Sequence, residues 1–336
     1  MAHANSFEVS SGRNTARTLI VGAFLTALTM VGAEKVATDR DRRTRSRKAR
    51  IISRIKDEGR PIYIMPGCRA DGEYIGEMLG PHLEHIGTRH DEAYADNDFD
   101  VEELKRHELE TRARDMGRAA IVYCSSMGGM KFTHSLADPD YREKFGKIDT
   151  LILDSSPASI SDLDSGTRFA MFASRVLPPS WTISRLYRSF MMKKVDQPRR
   201  HSPRVTDEQV RGHILSSANT PLLAVRNQAE FIRSTHLSAM KDGELAGVAD
   251  NIYYISSTRD HVVNTDSAFE EYNRIYGGTV KRYYDMARDE SSHADGPENP
   301  ELIIQLMEGN PPTEEELQHT HAVPSFVSAI PTTVAA

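Results

Sequence analysis

The chain has 336 residues, a net charge of −6 and a pI near 6.1. This acidic balance argues against nucleic acid as a partner of the whole chain. The chain has only two cysteines, Cys68 and Cys124, which excludes a disulfide scaffold and a zinc site built from four cysteines. The Walker A, G-x-G-x-x-G, H-E-x-x-H and EF-hand motifs are absent, so we expect no cofactor and no metal.

The N-terminal segment, residues 1–34, contains an uncharged apolar run at residues 18–33. A membrane helix needs about 20 apolar residues and tolerates about 17. The run is therefore a short membrane anchor, the apolar part of a signal peptide ending at Val31-Gly32-Ala33, or a buried core helix. Residues 35–50 carry eight basic and two acidic side chains, and such charge marks the cytoplasmic side of a membrane. We therefore favour a single-pass anchor with the following domain in the cytoplasm, and secretion after cleavage is the alternative.

A basic linker, residues 35–59, separates this segment from the rest of the chain. Its run from Arg40 to Arg50 is interpreted as a solvated linker that also attracts anionic headgroups. Nucleic-acid binding by this run is the weaker interpretation, because no aromatic side chains are interleaved with the charges.

From residue 60 onwards, strand patterns alternate with helical patterns, which predicts a parallel sheet covered on both faces by helices. Ile51-Ile52 is at most a remnant strand, so we expect a reduced sheet of about six strands. Strands are predicted at 60–67, 85–90 (weak), 119–124, 148–155, 251–256 and 279–284, and helices at 75–83, 101–116, from the turn after 124 to about 136, 265–275 and 297–309. Residues 158–249 interrupt the alternation with a helical, Met- and Phe-rich pattern, and the tail at 311–336 is predicted to be disordered.

The stretch at 119–130 is typical of a sharp strand-to-helix turn with a serine at its tip, a nucleophile elbow. An apolar strand ends at Ser125-Ser126, and Gly128-Gly129 opens a helix-compatible segment. With Ser126 at the tip, the two positions that must be small are Cys124 and Gly128, of which Cys124 replaces the usual glycine. The simpler interpretation is a buried strand followed by a glycine-rich turn.

Two further side chains follow later strands, where the chemistry of a parallel sheet is found. Asp260 comes just after the strand at 251–256, and His293 lies in the loop after the strand at 279–284. Each could be an ordinary loop residue. Asp154 is a rival acid, and His261 and His236 are weaker rivals for the histidine.

Serine, aspartate and histidine in this chain order resemble the α/β-hydrolase superfamily between residues 60 and 310. The resemblance implies a three-layer α/β sandwich with a mostly parallel sheet and a helical lid at about 158–249. It also implies Ser126 as nucleophile, His293 as general base and then acid, and Asp260 as the residue that orients the histidine. The oxyanion hole would be formed by the backbone N–H groups of Met127 and Cys68, although Pro66-Gly67 departs from the usual His-Gly.

The resemblance therefore predicts a serine hydrolase that cleaves a carboxylic ester or thioester through an acyl-enzyme. The Met-rich lid favours a small-molecule acyl or lipid-like ester as substrate. The alternative is a catalytically inactive, hydrolase-like binding module tethered at a membrane. In this fold Cys68 and Cys124 would lie near each other, as two small thiols or, alternatively, as a disulfide.

Overall fold

The computed structural model describes residues 62–68, 75, 88–90, 101–113, 119–176, 189, 211, 214, 222–257, 260–284, 293 and 300–312. The strands are β1 (Ile62–Met65), β2 (Thr88–His90), β3 (Ala120–Ser125), β4 (Ile148–Asp154), β5 (Ala249–Ser256) and β6 (Val280–Tyr284). The α-helices are α1 (Val101–Ala113), α2 (Met127–Leu136), α3 (Pro139–Phe145), α4 (Ser165–Val176), α5 (Leu222–Ser234), α6 (Thr265–Ile275) and α7 (Pro300–Met307). Two short 3₁₀ helices span Ile160–Asp162 and Leu237–Ala239.

The described strands form one six-stranded sheet in the order β2-β1-β3-β4-β5-β6, and every neighbouring pair is parallel. The predicted reduced parallel sheet is thereby confirmed. The direction in which strands are added to the sheet reverses once, since β1 and β2 lie on one side of β3 and the later strands lie on the other. Parallel strands all point the same way, so the residues that follow β1, β3, β4, β5 and β6 are gathered at one edge.

Both faces of the sheet are buried, which explains why its strands are apolar without a strict alternation. On one face Val122, Leu151 and Tyr254 pack with residues of α2 and α6. On the other face Ile121, Ile152 and Tyr253 pack with residues of α7. The result is the three-layer arrangement that the sequence predicts.

Helix α3 is absent from the sequence prediction, which passes from the helix ending near 136 to the strand at 148. Its start has a local signal, because the Asp138 carboxylate accepts hydrogen bonds from the backbone N–H groups of Asp140 and Tyr141, and Pro139 is the first helical residue. The helix packs on α1, where the Tyr141 hydroxyl donates to the Glu108 carboxylate. Asp-Pro is a recognisable helix start, so this element was predictable.

The predicted lid, residues 158–249, is described only in part. Its described portions are α4, α5, the two 3₁₀ helices and the residues beside them, while most of 177–221 lies outside the described residues. The helical pattern is present in those portions, and the function as a lid stays a prediction.

The predicted single-pass membrane anchor, with a cytoplasmic domain, is overturned. Among the described residues there is no helix long and apolar enough to cross a membrane. The longest described helices, α1 and α5, have 13 residues and would extend about 20 Å, against about 30 Å of hydrocarbon. The apolar run at 18–33 and the basic linker lie outside the described residues, as does the tail from 313.

Candidate active site

Ser126 lies at the tip of the turn between β3 and α2, with a backbone φ of 49° and ψ of −122°. A positive φ is unfavourable for a residue with a Cβ atom, so the surrounding contacts must hold it. The Ser126 N–H donates to the Asp154 carbonyl oxygen at 2.7 Å, and its own carbonyl accepts from the Gly129 N–H at 3.1 Å. The strand-to-helix turn predicted at 119–130 therefore has the strained serine expected of a nucleophile elbow.

The residues two positions before and two positions after Ser126, Cys124 and Gly128, are both small, and at Gly128 neighbouring backbone passes very close. A Cβ atom at Gly128 would lie 2.7 Å from the carbonyl carbon of Met65, at the end of β1. Cys124 is fully buried at the end of β3, and burial raises the pKa of its thiol well above the usual value. Glycine is required at 128, whereas a small buried side chain is tolerated at 124.

The structure brings Ser126, His293 and Asp260 into one chain of hydrogen bonds. The Ser126 Oγ lies 2.8 Å from His293 Nε2, and His293 Nδ1 lies 2.8 Å from Asp260 Oδ2. The side chains of His293 and Asp260 are 14% and 1% exposed, so the contacts are shielded from water. Ser126 and His293 are 167 positions apart in the chain and meet because both follow strands at the same edge of the sheet.

Asp260 is held from both sides. Its Oδ1 accepts hydrogen bonds from the backbone N–H groups of Val262 at 2.8 Å and Val263 at 3.0 Å. Burial raises the pKa of the Asp260 carboxyl, but the hydrogen bond and charge of His293 and the two backbone N–H groups outweigh burial, so the pKa lies below its ordinary value.

The protonation pattern follows from this ionised carboxylate. Asp260 can only accept hydrogen bonds, so His293 Nδ1 must carry the hydrogen that points at it. In the neutral imidazole Nε2 is then the acceptor, and the Ser126 hydroxyl donates to it. The arrangement can therefore remove a proton from Ser126 as the hydroxyl attacks an electrophile.

The rival residues have different surroundings. Asp154 is fully buried, and its Oδ2 accepts a hydrogen bond from the Tyr123 hydroxyl at 2.6 Å. His236 and His261 are exposed. Of these five side chains, His293 lies within hydrogen-bond reach of the Ser126 hydroxyl, and Asp260 lies within reach of His293.

The loop after β1 lies directly against Ser126. A Cβ atom at Gly67 would lie 2.9 Å from the Ser126 Cβ and 3.6 Å from its Oγ. Cys68 is the next residue after Gly67, and Met127 is the first residue of α2, where the helix N-terminus adds positive potential. That the N–H groups of Met127 and Cys68 form an oxyanion hole stays a prediction.

Gln228 is a residue of this region that sequence reasoning missed. It lies on α5, is buried, and its Oε1 accepts a hydrogen bond from the Cys68 thiol at 3.0 Å. The hydrogen bond between Cys68 and Gln228 joins residues 160 positions apart, so the sequence holds no local signal for it.

The disulfide alternative for Cys68 and Cys124 is wrong, because no bond joins the two sulfurs.

Metal-assisted chemistry has no donor set in the part of the chain that the structure describes. No group of three or more His, Cys, Asp or Glu side chains there could hold a metal ion.

Comparison with known proteins finds similarity in structure alone. No protein-family model matches the chain, and no curated protein matches it in sequence. Among solved structures, a hydrolase from Pseudomonas aeruginosa PA01 is 15% identical, with a TM-score of 0.48 over 75% of this chain and 90% of that one. An N-formylmaleamic acid deformylase from Pseudomonas putida S16 is 14% identical, with a TM-score of 0.46 over 74% of this chain and 91% of the other. An esterase from Exiguobacterium antarcticum is 12% identical, with a TM-score of 0.47 over 67% and 83% of the two chains.

At these identities the activities of those proteins do not carry over, and the fold is identified from the chain's own features. These are a parallel sheet covered on both faces, a serine in a left-handed turn between β3 and α2, and an aspartate and a histidine that follow later strands. With serine, aspartate and histidine in that chain order, this protein has the α/β-hydrolase fold.

Proposed function

We propose that the protein is a serine hydrolase that cleaves a carboxylic ester or thioester of a small molecule through an acyl-enzyme. The observation that carries the proposal is the pair of 2.8 Å hydrogen bonds that links Ser126 to His293 and His293 to Asp260. A serine, a histidine and an aspartate in one chain of hydrogen bonds, with the serine in a strained backbone conformation, are typical of a catalytic site.

In the first half of the reaction the Ser126 Oγ attacks the substrate carbonyl carbon while His293 Nε2 takes the hydroxyl proton. The carbonyl oxygen becomes an oxyanion, which the backbone N–H groups of Met127 and Cys68 stabilise by hydrogen bonds. His293 then gives its proton to the leaving alcohol or thiol as the carbonyl–heteroatom bond breaks, and the acyl group stays on Ser126.

In the second half a water molecule attacks the acyl-enzyme, and His293 takes its proton. Collapse of the second tetrahedral intermediate breaks the bond to Ser126 Oγ, which recovers the proton from His293, and the carboxylic acid leaves. Asp260 stays ionised throughout and stabilises the imidazolium, consistent with the lowered pKa of its carboxyl.

A fluorophosphonate probe tests the nucleophile. We expect covalent labelling of the wild type, loss of labelling in Ser126→Ala, and labelling of Ser125→Ala at close to the wild-type rate. Ser125 is the matched control because it is the adjacent serine, yet it is buried at the end of β3. A wild type that stays unlabelled while a control serine hydrolase is labelled would contradict the proposal and leave an inactive binding module.

The substrate class requires a second experiment. A series of p-nitrophenyl esters of increasing acyl length, with matched thioesters, is assayed with the wild type and Ser126→Ala. We expect turnover by the wild type alone, and the acyl length of highest kcat/KM separates a small acyl group from a lipid-like chain. Equal turnover by the two proteins would show that hydrolysis does not use Ser126.

A further inference from the structure

The turn that carries Asp260 is attached to the segment that follows β4. The Asn264 N–H donates to the Asp162 carbonyl oxygen at 2.5 Å, and the Asp164 N–H donates to the Val262 carbonyl oxygen at 2.9 Å. Leu163 and Val263 form an isolated antiparallel bridge between these two bonds. Residues 162–164 and 262–264 are thus a miniature two-stranded ladder outside the main sheet.

The ladder is connected to the Asp260 carboxylate through backbone N–H groups. Val263, which pairs with Leu163, and Val262, which pairs with Asp164, are the same residues whose N–H groups donate to Asp260 Oδ1. A shift of the ladder therefore shifts the two donors that orient the carboxylate, and with them the oxygen that faces His293.

The Asp162 side chain holds its side of the ladder in place. Its Oδ2 accepts from the Ala158 N–H at 2.9 Å and the Ser159 N–H at 2.8 Å, which closes the turn after β4. Its Oδ1 accepts from the Ser267 hydroxyl at 2.8 Å and ties the same turn to α6. The residue is only 3% exposed, so these charge-assisted bonds are formed away from water.

We propose that Asp162 is a positioning residue for hydrolysis, which holds the turn of Asp260 so that the carboxylate meets His293. The inference rests on the proposed function and adds to it a residue that does not touch the substrate. The sequence holds a partial signal, because Ser159-Ile160-Ser161-Asp162 has the spacing of a capping box, and both of its hydrogen bonds are formed.

The test must separate the position of Asp162 from its charge. The pKa of the buried Tyr254 hydroxyl is raised by burial and then by the negative charge of Asp260, and Arg282 opposes this. Asp162 and Asp154 also raise the pKa, so the charge of Asp162 acts on its buried surroundings. Asp162 is a buried carboxylate beside the turn of Asp260, so its removal can change the electrostatic potential at His293 as well as the position of the turn. A variant that removes the charge but keeps the hydrogen bonds is needed.

Asp162→Asn is that variant. Its amide oxygen can accept from the Ala158 and Ser159 N–H groups, and its NH₂ group can donate to the Ser267 hydroxyl, whose oxygen also accepts. Asp162→Ala removes the same charge together with all three hydrogen bonds. The two proteins are compared in the pH profile of kcat/KM on a short p-nitrophenyl ester, with Ser126→Ala as the blank.

We expect kcat/KM of Asp162→Ala to fall about 10- to 100-fold, since a misplacement of about 1 Å costs up to that much. Its acidic limb should move to lower pH by about half a unit or more, because a displaced Asp260 stabilises the His293 imidazolium less. Asp162→Asn should move the limb clearly less than Asp162→Ala does, by the effect of the lost charge alone, and should lie within about threefold of wild-type kcat/KM, as the retained bonds hold the turn.

Equal displacement of the limb in both variants would overturn the inference, since charge alone would then explain it. An unmoved limb in Asp162→Ala would also overturn it, because the residue would then serve only stability. If Asp162→Ala does not fold, Ser267→Ala decides: a smaller displacement in the same direction supports the inference, and an unmoved limb refutes it. Activity retained in Ser126→Ala would instead refute the proposed function, and this inference with it.

Discussion

The closest backbone approach in the site makes Gly128→Ala an informative single change. The new Cβ atom would overlap the Met65 carbonyl oxygen, and would lie 2.7 Å from the Met65 carbonyl carbon and 3.0 Å from the Pro66 carbonyl oxygen. Carbon atoms in contact prefer about 3.5–4.0 Å, so the end of β1 and the start of α2 must separate by at least about 1 Å. The obstacle is backbone in the centre of the sheet, which cannot rotate away as a side chain could.

The expected loss of stability is the overpacking cost less the gain in helix propensity. Overpacking costs about 3 kcal/mol, at the upper end of the usual range. Alanine gains about 1 kcal/mol over glycine in a helix. The net loss of about 2 kcal/mol lowers Tm by roughly 4–8 °C for a domain of this size.

The expected loss of activity comes from displacement of the loop after β1, not from unfolding of the protein. Gly67 and Cys68 follow Met65 after Pro66, so a shift of the end of β1 displaces the loop that lies against Ser126. A displacement of about 1 Å at a catalytic group costs about 100-fold in rate, so kcat/KM on a p-nitrophenyl ester should fall by about that factor at a temperature where the protein remains folded.

Gly146→Ala is the matched control. A Cβ atom there meets nothing within 4 Å, but the residue has a φ of 77°, which costs an alanine about 1–2 kcal/mol. It precedes the start of β4, at the edge of the sheet opposite the site, so Tm should fall while kcat/KM stays at the wild-type value. A Gly128→Ala protein that loses Tm like the control but keeps full activity would refute the placement of the loop against Ser126.

The remaining predictions concern the acid and the thiols. Asp260→Asn should lower kcat by about 10³- to 10⁴-fold while probe labelling slows in parallel, because His293 loses the partner that fixes its tautomer; a loss below tenfold would contradict the assigned role. The lowered pKa of the Asp260 carboxyl means that it stabilises the fold fully above the unfolded pKa of about 3.9, and that this stability is lost as pH falls through the lowered folded value. Urea unfolding from pH 7 to pH 3 should therefore show a shallower acid loss in Asp260→Asn than in the wild type, and parallel curves would exclude this contribution. Iodoacetamide should alkylate the half-buried Cys68 in the native protein and leave Cys124 unmodified, because burial raises the pKa of the Cys124 thiol. Peptide mass spectrometry that finds Cys124 modified first would contradict the burial described.

Local sequence patterns predicted much of the fold. The helix predicted at 265–275 is α6 residue for residue, and the strand predicted at 279–284 differs from β6 by one residue. Such segments are predictable because burial of a strand or of one helix face imposes a short period on the sequence. The membrane anchor, in contrast, is an inference from a 16-residue apolar run and the basic residues after it, and that inference is overturned.

The sequence by itself determined the sharp turn at Ser126, since a strand, a serine and Gly128 are adjacent in the chain and the strain is local. It also placed Asp260 and His293 after strands, but left Asp154 equally well placed. Only the tertiary structure decided between the acids, because partners 33 and 167 positions apart meet through the order of the strands. The same holds for Asp162, whose three hydrogen bonds depend on how the turn after β4 packs against the turn after β5, a property of the packed chain that no single segment encodes.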